Sequence, residues 1–285
     1  MINLETLERA VMIFCLHFIS VENMEYLIIS LLSLLVAALT FFSGFGLGTL
    51  LMPAFALFFP IEVAIAATAI VHLFNNLFKV YLVGKHAHKR TVLAFAIPAA
   101  LFAMLGAWLL NYFTLMPAIL TYSWGDKIFE ITPVKLLIAV LMIIFAVVEL
   151  VPVLNKISFK PQIVPVGGAL SGFFGGLSGH QGALRSAFLV RLRLEKKALI
   201  ATMVLSAVIV DISRLLIYGI TFFERDFRLL YQQGGFYMVF CGIIAAFLGS
   251  FIGSRLLEKV TLKFIKLFIA VMLIFIAVTL GLGWI

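Results

Sequence analysis

Eight apolar runs separated by short polar turns fill the chain from residue 25 to residue 284. A run of about 20 apolar residues is long enough to cross the hydrocarbon core of a bilayer as a helix. Six runs come up to that length as single stretches, at about 61–83, 91–113, 133–151, 197–219, 235–254 and 264–284. The other two are longer and interrupted. One covers about 25–60 and breaks at Ser43-Gly44-Phe45-Gly46-Leu47-Gly48. The other covers about 163–190 and breaks at Gly175-Gly176-Leu177-Ser178-Gly179-His180-Gln181-Gly182. A water-soluble fold could not hide this much apolar surface: 64% of the 285 residues are hydrophobic and 12% charged, against roughly half and a quarter in soluble domains. The expected fold is therefore an all-α membrane protein.

The breaks constrain the architecture further. Glycines at mid-membrane depth free backbone groups that lipid cannot satisfy, and such a break survives only where it faces protein or a watery cavity. The two halves also resemble each other. Ser43-Gly44-Phe45 recurs as Ser171-Gly172-Phe173, and Ala54-Phe55 followed by Ala67-Thr68 matches Ala187-Phe188 followed by Ala201-Thr202. Charge then orients the halves. If each interrupted run is a hairpin, one side carries Lys85, Lys89, Arg90, Lys156, Lys160, Arg191, Arg193, Lys196, Lys197, Arg255, Lys259, Lys263 and Lys266. The other side has Lys127, Arg225 and Arg228, accompanied by Asp126, Glu130, Glu224 and Asp226. Basic residues concentrate on the cytoplasmic side. A hairpin plus three spans is topologically odd, so the second copy is expected to be inverted. The expected division is an N-terminal interfacial or short extra helix at 1–24, a first repeat at 25–155 and an inverted repeat at 156–285. Inverted repeats whose broken helices meet at the midplane are a common transporter architecture.

The formal net charge of +8 follows from these loops, and no nucleic-acid partner is expected. The N-terminus does not read as a secretory signal, because Glu5 and Glu8 precede its apolar run and no small-residue cleavage site is obvious. Cys15 and Cys241 each lie in an apolar run and read as packing residues. No Cys/His spacing suggests a metal, and no cofactor is expected.

Residues near the breaks suit an anion. A short helix is expected to begin after each break, near Leu47 to Thr49 and near Gln181 to Ala183. The first N–H groups of a helix lack intrahelical partners, and the aligned dipoles place about half a positive charge there. Two such ends would make a donor-rich pocket, with Gly46, Gly48, Gly179 and Gly182 allowing close backbone approach. The alternative is that the glycines serve only tight helix crossing. Thr49, Ser178, His180 and Gln181 are further candidate binders, His180 also by proton exchange; a capping role is the alternative. Arg185 either pairs with the anion or extends to the cytoplasmic surface. Thr68, His72, Asn75, Asn76 and Lys79 share one helix face, and Thr202, Ser206 and Ser213 echo it. From this face His72 and Asn76 are candidate binders. Asp211 and Arg214, three residues apart, read as an intrahelical ion pair, with gating or coupling as the alternative.

The segment Gly44-Phe45-Gly46-Leu47-Gly48, with Pro53 beyond it and Ala66-Ala67-Thr68 in the next helix, resembles the glycine-rich signature of the sulfite exporter TauE/SafE family. The resemblance spans roughly residues 30–284 and recurs in altered form from Gly179 to Ala187. It departs from the pattern at Leu47, at His180-Gln181-Gly182, and at Ser186 or Ala187 where a proline is expected. It implies a multi-pass permease in a cell membrane, that of bacteria, moving sulfite or an organosulfonate, with export the implied direction. Homo-oligomerisation is left open. The rival readings are an anion channel, a scaffolding subunit and an intramembrane enzyme using His180 and Ser178. The last lacks both a His-Glu-x-x-His and a Gly-x-Ser-x-Gly motif.

Overall fold

The computed structural model describes residues 24–41, 46–150, 161–192, 194–222, 235–256 and 262–285. Cys15 and the rest of 1–23, residues 42–45, Lys156, Lys160, Arg193, the acidic and basic residues of 224–228, and Lys259 lie outside the described residues.

Each apolar run forms helix, as lipid requires when it offers backbone groups no partner. The order is α1 (Met24–Leu39), α2 (Leu47–Ala56), α3 (Ile61–Val83), α4 (Lys89–Thr114), α5 (Pro133–Leu150), α6 (Val164–Ser178), α7 (Gln181–Leu189), α8 (Lys196–Phe222), α9 (Gly235–Leu256) and α10 (Leu262–Gly281). Among the described residues four helices are long and apolar enough to cross a membrane: α3 with its extension to His86, α4, α8 and α9. Helices α5 and α10 occupy the other two predicted runs. The interrupted runs divide as expected into α1 with α2 and α6 with α7. At 1.5 Å per residue, the ten residues of α2 reach about 15 Å, roughly half the hydrocarbon thickness.

Two expectations need correction. The second break is shorter than predicted. Gly175 and Gly176 stay helical, and α6 ends only at Ser178. Gly176 belongs to the Gly168, Gly172, Gly176 row that faces α4, where a side chain would overlap the carbonyls of Phe95, Ala99 and Ala103. A matching close approach joins α9 to α1, where Gly249 and Gly253 meet the carbonyls of Leu34 and Ala38. These glycines do serve helix crossing, as small residues do where lipid provides no hydrophobic drive to association. The second correction concerns the segment after α4, expected to be a loop. It holds an antiparallel hairpin of β1 (Leu120–Trp124) and β2 (Lys127–Ile131), pairing Leu120 with Ile131 and Trp124 with Lys127. The signal was a two-residue Gly125-Asp126 turn, with Gly125 at φ 63. Tyr122 donates to the Leu282 carbonyl at 2.6 Å and tethers the hairpin to the end of α10.

Helices α3 and α8 pack together at the centre. Around them α1 packs on α9, α6 on α4, and α5 on α10. The main apolar core runs through α2, α3, α5 and α10, and a smaller one joins α4, α6, α7 and α8. At one end of the molecule Pro60, Thr114, Glu130, Lys135 and Trp284 line a cavity of about 590 Å³. At the other, the His88 N–H donates to Thr202 at 2.9 Å, tying the α3–α4 turn to the start of α8.

The α4–α6 crossing yields a test. Gly172→Ala forces a methyl group into the Ala99 carbonyl and is expected to cost at least ~2 kcal/mol. Gly281→Ala meets only ordinary contact, 3.5 Å from the Ala139 Cβ, and should change stability by less than about 0.5 kcal/mol. Thermal unfolding of the detergent-purified variants compares the two.

Candidate functional site

The short helices begin where the backbone turns sharply. Gly46, before α2, has φ 115 with no side-chain cap on the helix. Gly179, after α6, has φ 80, and His180 then precedes α7, again without a side-chain cap. Only glycine adopts such positive φ without strain. The two turns lie against each other. A methyl group on Gly48 would sit 3.5 Å from the Gly179 carbonyl and 3.7 Å from the His72 ring. The starts of α2 and α7 and the middle of α3 therefore meet at one place. Every candidate there is buried: Gly46, Gly48, Thr49, His72, Asn76, Ser178, Gly179, His180, Gln181, Gly182 and Arg185.

Asp211 on α8 stands at the centre of the polar contacts. Its Oδ2 accepts from His72 Nδ1 at 2.6 Å and from Asn76 Nδ2 at 3.4 Å, both on α3. Its Oδ1 accepts from Gln181 Nε2 at 2.7 Å, and from Arg214 Nη2 at 2.7 Å and Nε at 3.1 Å. The i, i+3 pair predicted from sequence is present, but it is one edge of a cluster drawn from three helices. Arg214 Nη1 also donates to the Gly175 carbonyl at 3.1 Å, and Tyr218 donates to that of Gly176.

This arrangement settles several alternatives. Arg185 does not reach the surface; it is 2% exposed and donates to Gln181 Oε1 at 2.8 Å. The Gln181 amide thus relays Arg185 to Asp211. Lys79 is also buried, at 4% exposure. Its ammonium lies 5.3 Å from the Phe41 ring centre and donates at 3.3 Å to Asn75, once that amide is oriented to satisfy both of its ends. Thr68 completes the buried stripe on α3, and its hydroxyl has no partner. The echo on α8 is different in kind: Ser206 and Ser213 bond to carbonyls of their own helix.

His180 lies parallel to the Phe145 ring of α5, their centres 5.3 Å apart. Its Nδ1 is 2.9 Å from the Ser178 carbonyl and therefore carries the proton. The Nε2 of the neutral ring is then an acceptor, and it is buried without a partner. Donation to an oxyanion through Nε2 requires the imidazolium. Ser178 turns its hydroxyl back to the Phe174 carbonyl at 3.0 Å.

Charge at the site is unbalanced. Among the described residues Lys79, Arg185 and Arg214 are buried basic side chains, and Asp211 is the one buried carboxylate. No group of three His, Cys, Asp or Glu that could hold a metal occurs among the described residues.

A bundle of apolar helices, four of them among the described residues long enough to cross a bilayer, defines a multi-pass membrane protein. The chain belongs to the sulfite exporter TauE/SafE family, whose model matches residues 29–280. That is a family of membrane transporters of sulfur-containing anions, not of enzymes. No curated protein and no solved structure gives a match.

Removal of the carboxylate tests the cluster. Asp211→Ala leaves Arg214 uncompensated and should cost about 3–5 kcal/mol. The double variant Asp211→Ala/Arg214→Leu should recover part of that loss. Thermal unfolding of the two proteins reads the difference.

Proposed function

We propose that this protein is a secondary transporter of a small oxyanion, sulfite or an organosulfonate, with export its direction and the bacterial inner membrane its place. The carrying observation is the meeting of two helix N-termini, uncapped by side chains, at a buried centre that also holds more cations than carboxylates. Free N–H groups and a positive dipole end attract an anion from each side. Gly46, Gly48, Thr49, Gly179 and Gly182 form the backbone part of the site, and His72, Asn76, Ser178, His180, Gln181 and Arg185 surround it.

The half-helices belong to two inverted repeats, residues 25–155 and 156–285. The helix contacts support this reading. Exchanging α1 for α6, α3 for α8, α4 for α9 and α5 for α10 turns the α1–α9 contact into α6–α4, and the α4–α8 contact into α9–α3. The same exchange leaves α3–α8 and α5–α10 unchanged, and all of these contacts are present. Both exchanged outer pairs are glycine-mediated crossings. Movement of one repeat against the other would expose the site to each side in turn.

Proteoliposomes offered sulfite, thiosulfate, sulfonates and carboxylates should transport sulfur oxyanions in preference to carboxylates. In the same assay Gly48→Leu should remain folded and lose transport at least about tenfold, because its side chain fills the space between the half-helices. Wild-type transport by Gly48→Leu would place the substrate elsewhere. Cysteine substituted at Lys89 or Lys196 should label from the cytoplasm, and cysteine at Asp126 from outside only. Labelling of Lys89 and Lys196 from opposite sides would exclude the inverted repeat.

A further inference from the structure

The side-chain donors nearest the two half-helices are already occupied by a carboxylate of the protein. Five N–H donors from His72, Asn76, Gln181 and Arg214 converge on Asp211 at 2.6–3.4 Å. A carboxylate offers about four lone-pair sites, so the shell is saturated. Neutralising Arg214 would need one oxygen and one helix. Instead α3, α7 and α8 all contribute, and a second guanidinium, Arg185, supports the shell through Gln181. Those donors, two N–H groups of one guanidinium on a single oxygen included, are of the kind that recognises an oxyanion. The cradle also adjoins the gap between the helix starts, since Gln181 opens α7 and the His72 ring faces Gly48.

We propose that this cradle is itself an oxyanion-binding site, filled in this structure by Asp211, which the transported anion enters when a proton takes up the charge of that carboxylate. The inference rests on the transporter reading above. Two anions cannot share one donor set, so Asp211 competes with the substrate while ionised. A proton from the aqueous phase, placed on a carboxyl oxygen, removes the competitor and leaves the donors free. Anion and proton are then bound together. The charged or titratable groups facing Asp211 are His72 from α3, Arg185 from α7, and Arg214 with Tyr218 from α8 itself. Among the described residues, α6 brings the Gly175 carbonyl, bonded to Arg214, while His180 of the adjoining turn stands near Arg214, and α4 brings no charged group. Protonation of His72 alone would strengthen its bond to Asp211 and keep the cradle closed. The proton site is therefore the carboxyl group.

Binding of radiolabelled thiosulfate and methanesulfonate to the purified protein tests this. Both are anions of strong acids and bring no proton of their own near neutrality. The wild type should bind more tightly as pH falls from about 8 to about 6, by up to about tenfold per pH unit for one linked proton. Asp211→Asn should bind at about pH 8 at least as tightly as the wild type does at about pH 6, with no pH dependence. His72→Gln, which keeps a donor but cannot titrate, should retain the wild-type pH dependence. If Asp211→Asn does not fold, proton uptake by the wild type in weak buffer decides, with one proton expected per anion bound. Binding that is flat with pH in the wild type, a dependence that survives in Asp211→Asn or vanishes in His72→Gln, or binding without proton uptake would overturn the proposal. Failure of both anions to bind at any pH would instead overturn the transporter reading on which it stands.

Discussion

Everything at the centre of this molecule depends on how backbone groups without intrahelical partners are tolerated inside a bundle of apolar helices. A helix that starts there leaves its first N–H groups without intrahelical partners, at a cost of several kcal/mol for each group left unsatisfied. The chain stops twice and brings the two stops together. Gly46 and Gly179 supply the backbone angles that end one arm and start the next, and Gly48 lets the two turns approach to van der Waals distance. The surrounding helices are arranged to make that meeting possible. Helices α1 and α6, the long arms of the hairpins, are each gripped by a neighbour through rows of glycine that bring backbones into contact. Close approach of this kind fixes position more sharply than interdigitated leucines would, since backbone atoms have no rotamers to change.

The second constraint is charge. Lys79, Arg185 and Arg214 are held away from water with Asp211 as the buried carboxylate among the described residues. Each has polar or aromatic neighbours: Asn75 and the Phe41 ring for Lys79, Gln181 for Arg185, and Asp211 with the Gly175 carbonyl for Arg214. Hydrogen bonds to neutral partners orient a buried cation but do not cancel its charge. Two buried guanidiniums, Arg185 and Arg214, against one buried carboxylate add to the dipole ends of α2 and α7. Burying ionisable groups in this way is costly in a membrane and marks function by default.

Much of this could be read from the sequence, because membrane helices announce themselves by length and composition. The expected spans at 61–83 and 235–254 lie within a residue or two of α3 and α9, and the expected starts near Leu47 to Thr49 and Gln181 to Ala183 include the first residues of α2 and α7. Other features were hidden for identifiable reasons. Gly175-Gly176 looks the same whether it ends a helix or packs one, and only the α4 backbone opposite shows that it packs. Asp211 and Arg214 satisfy the local rule for an intrahelical pair, so nothing local pointed to His72, 139 residues away. Arg185 was ambiguous because its length suits both a surface and an interior destination, and the choice was made by Gln181 one turn before it. The β1–β2 hairpin was overlooked because its strands are five residues each, beside helices several times longer.

A carrier has to bind its cargo well enough to select it and weakly enough to release it on the other side. Backbone donors of two opposed half-helices meet the first need, since they cost no rearrangement when an anion arrives. They do not meet the second. A permanently positive, fully exposed pocket would hold an oxyanion and stop turning over. On the competition proposed above, a carboxylate of the protein that occupies the adjoining side-chain donors would supply the opposing force, restoring the empty state as soon as it regains its charge. Its position is suited to that task. Asp211 lies on α8 and takes its bonds from α3 and α7 as well as its own helix. On the inverted-repeat reading, α3 belongs to one repeat and α7 and α8 to the other. Any motion of one repeat against the other must then stretch or remake the Asp211 shell. The occupant of the cradle, carboxylate or cargo, is in that way coupled to the arrangement of the helices around it.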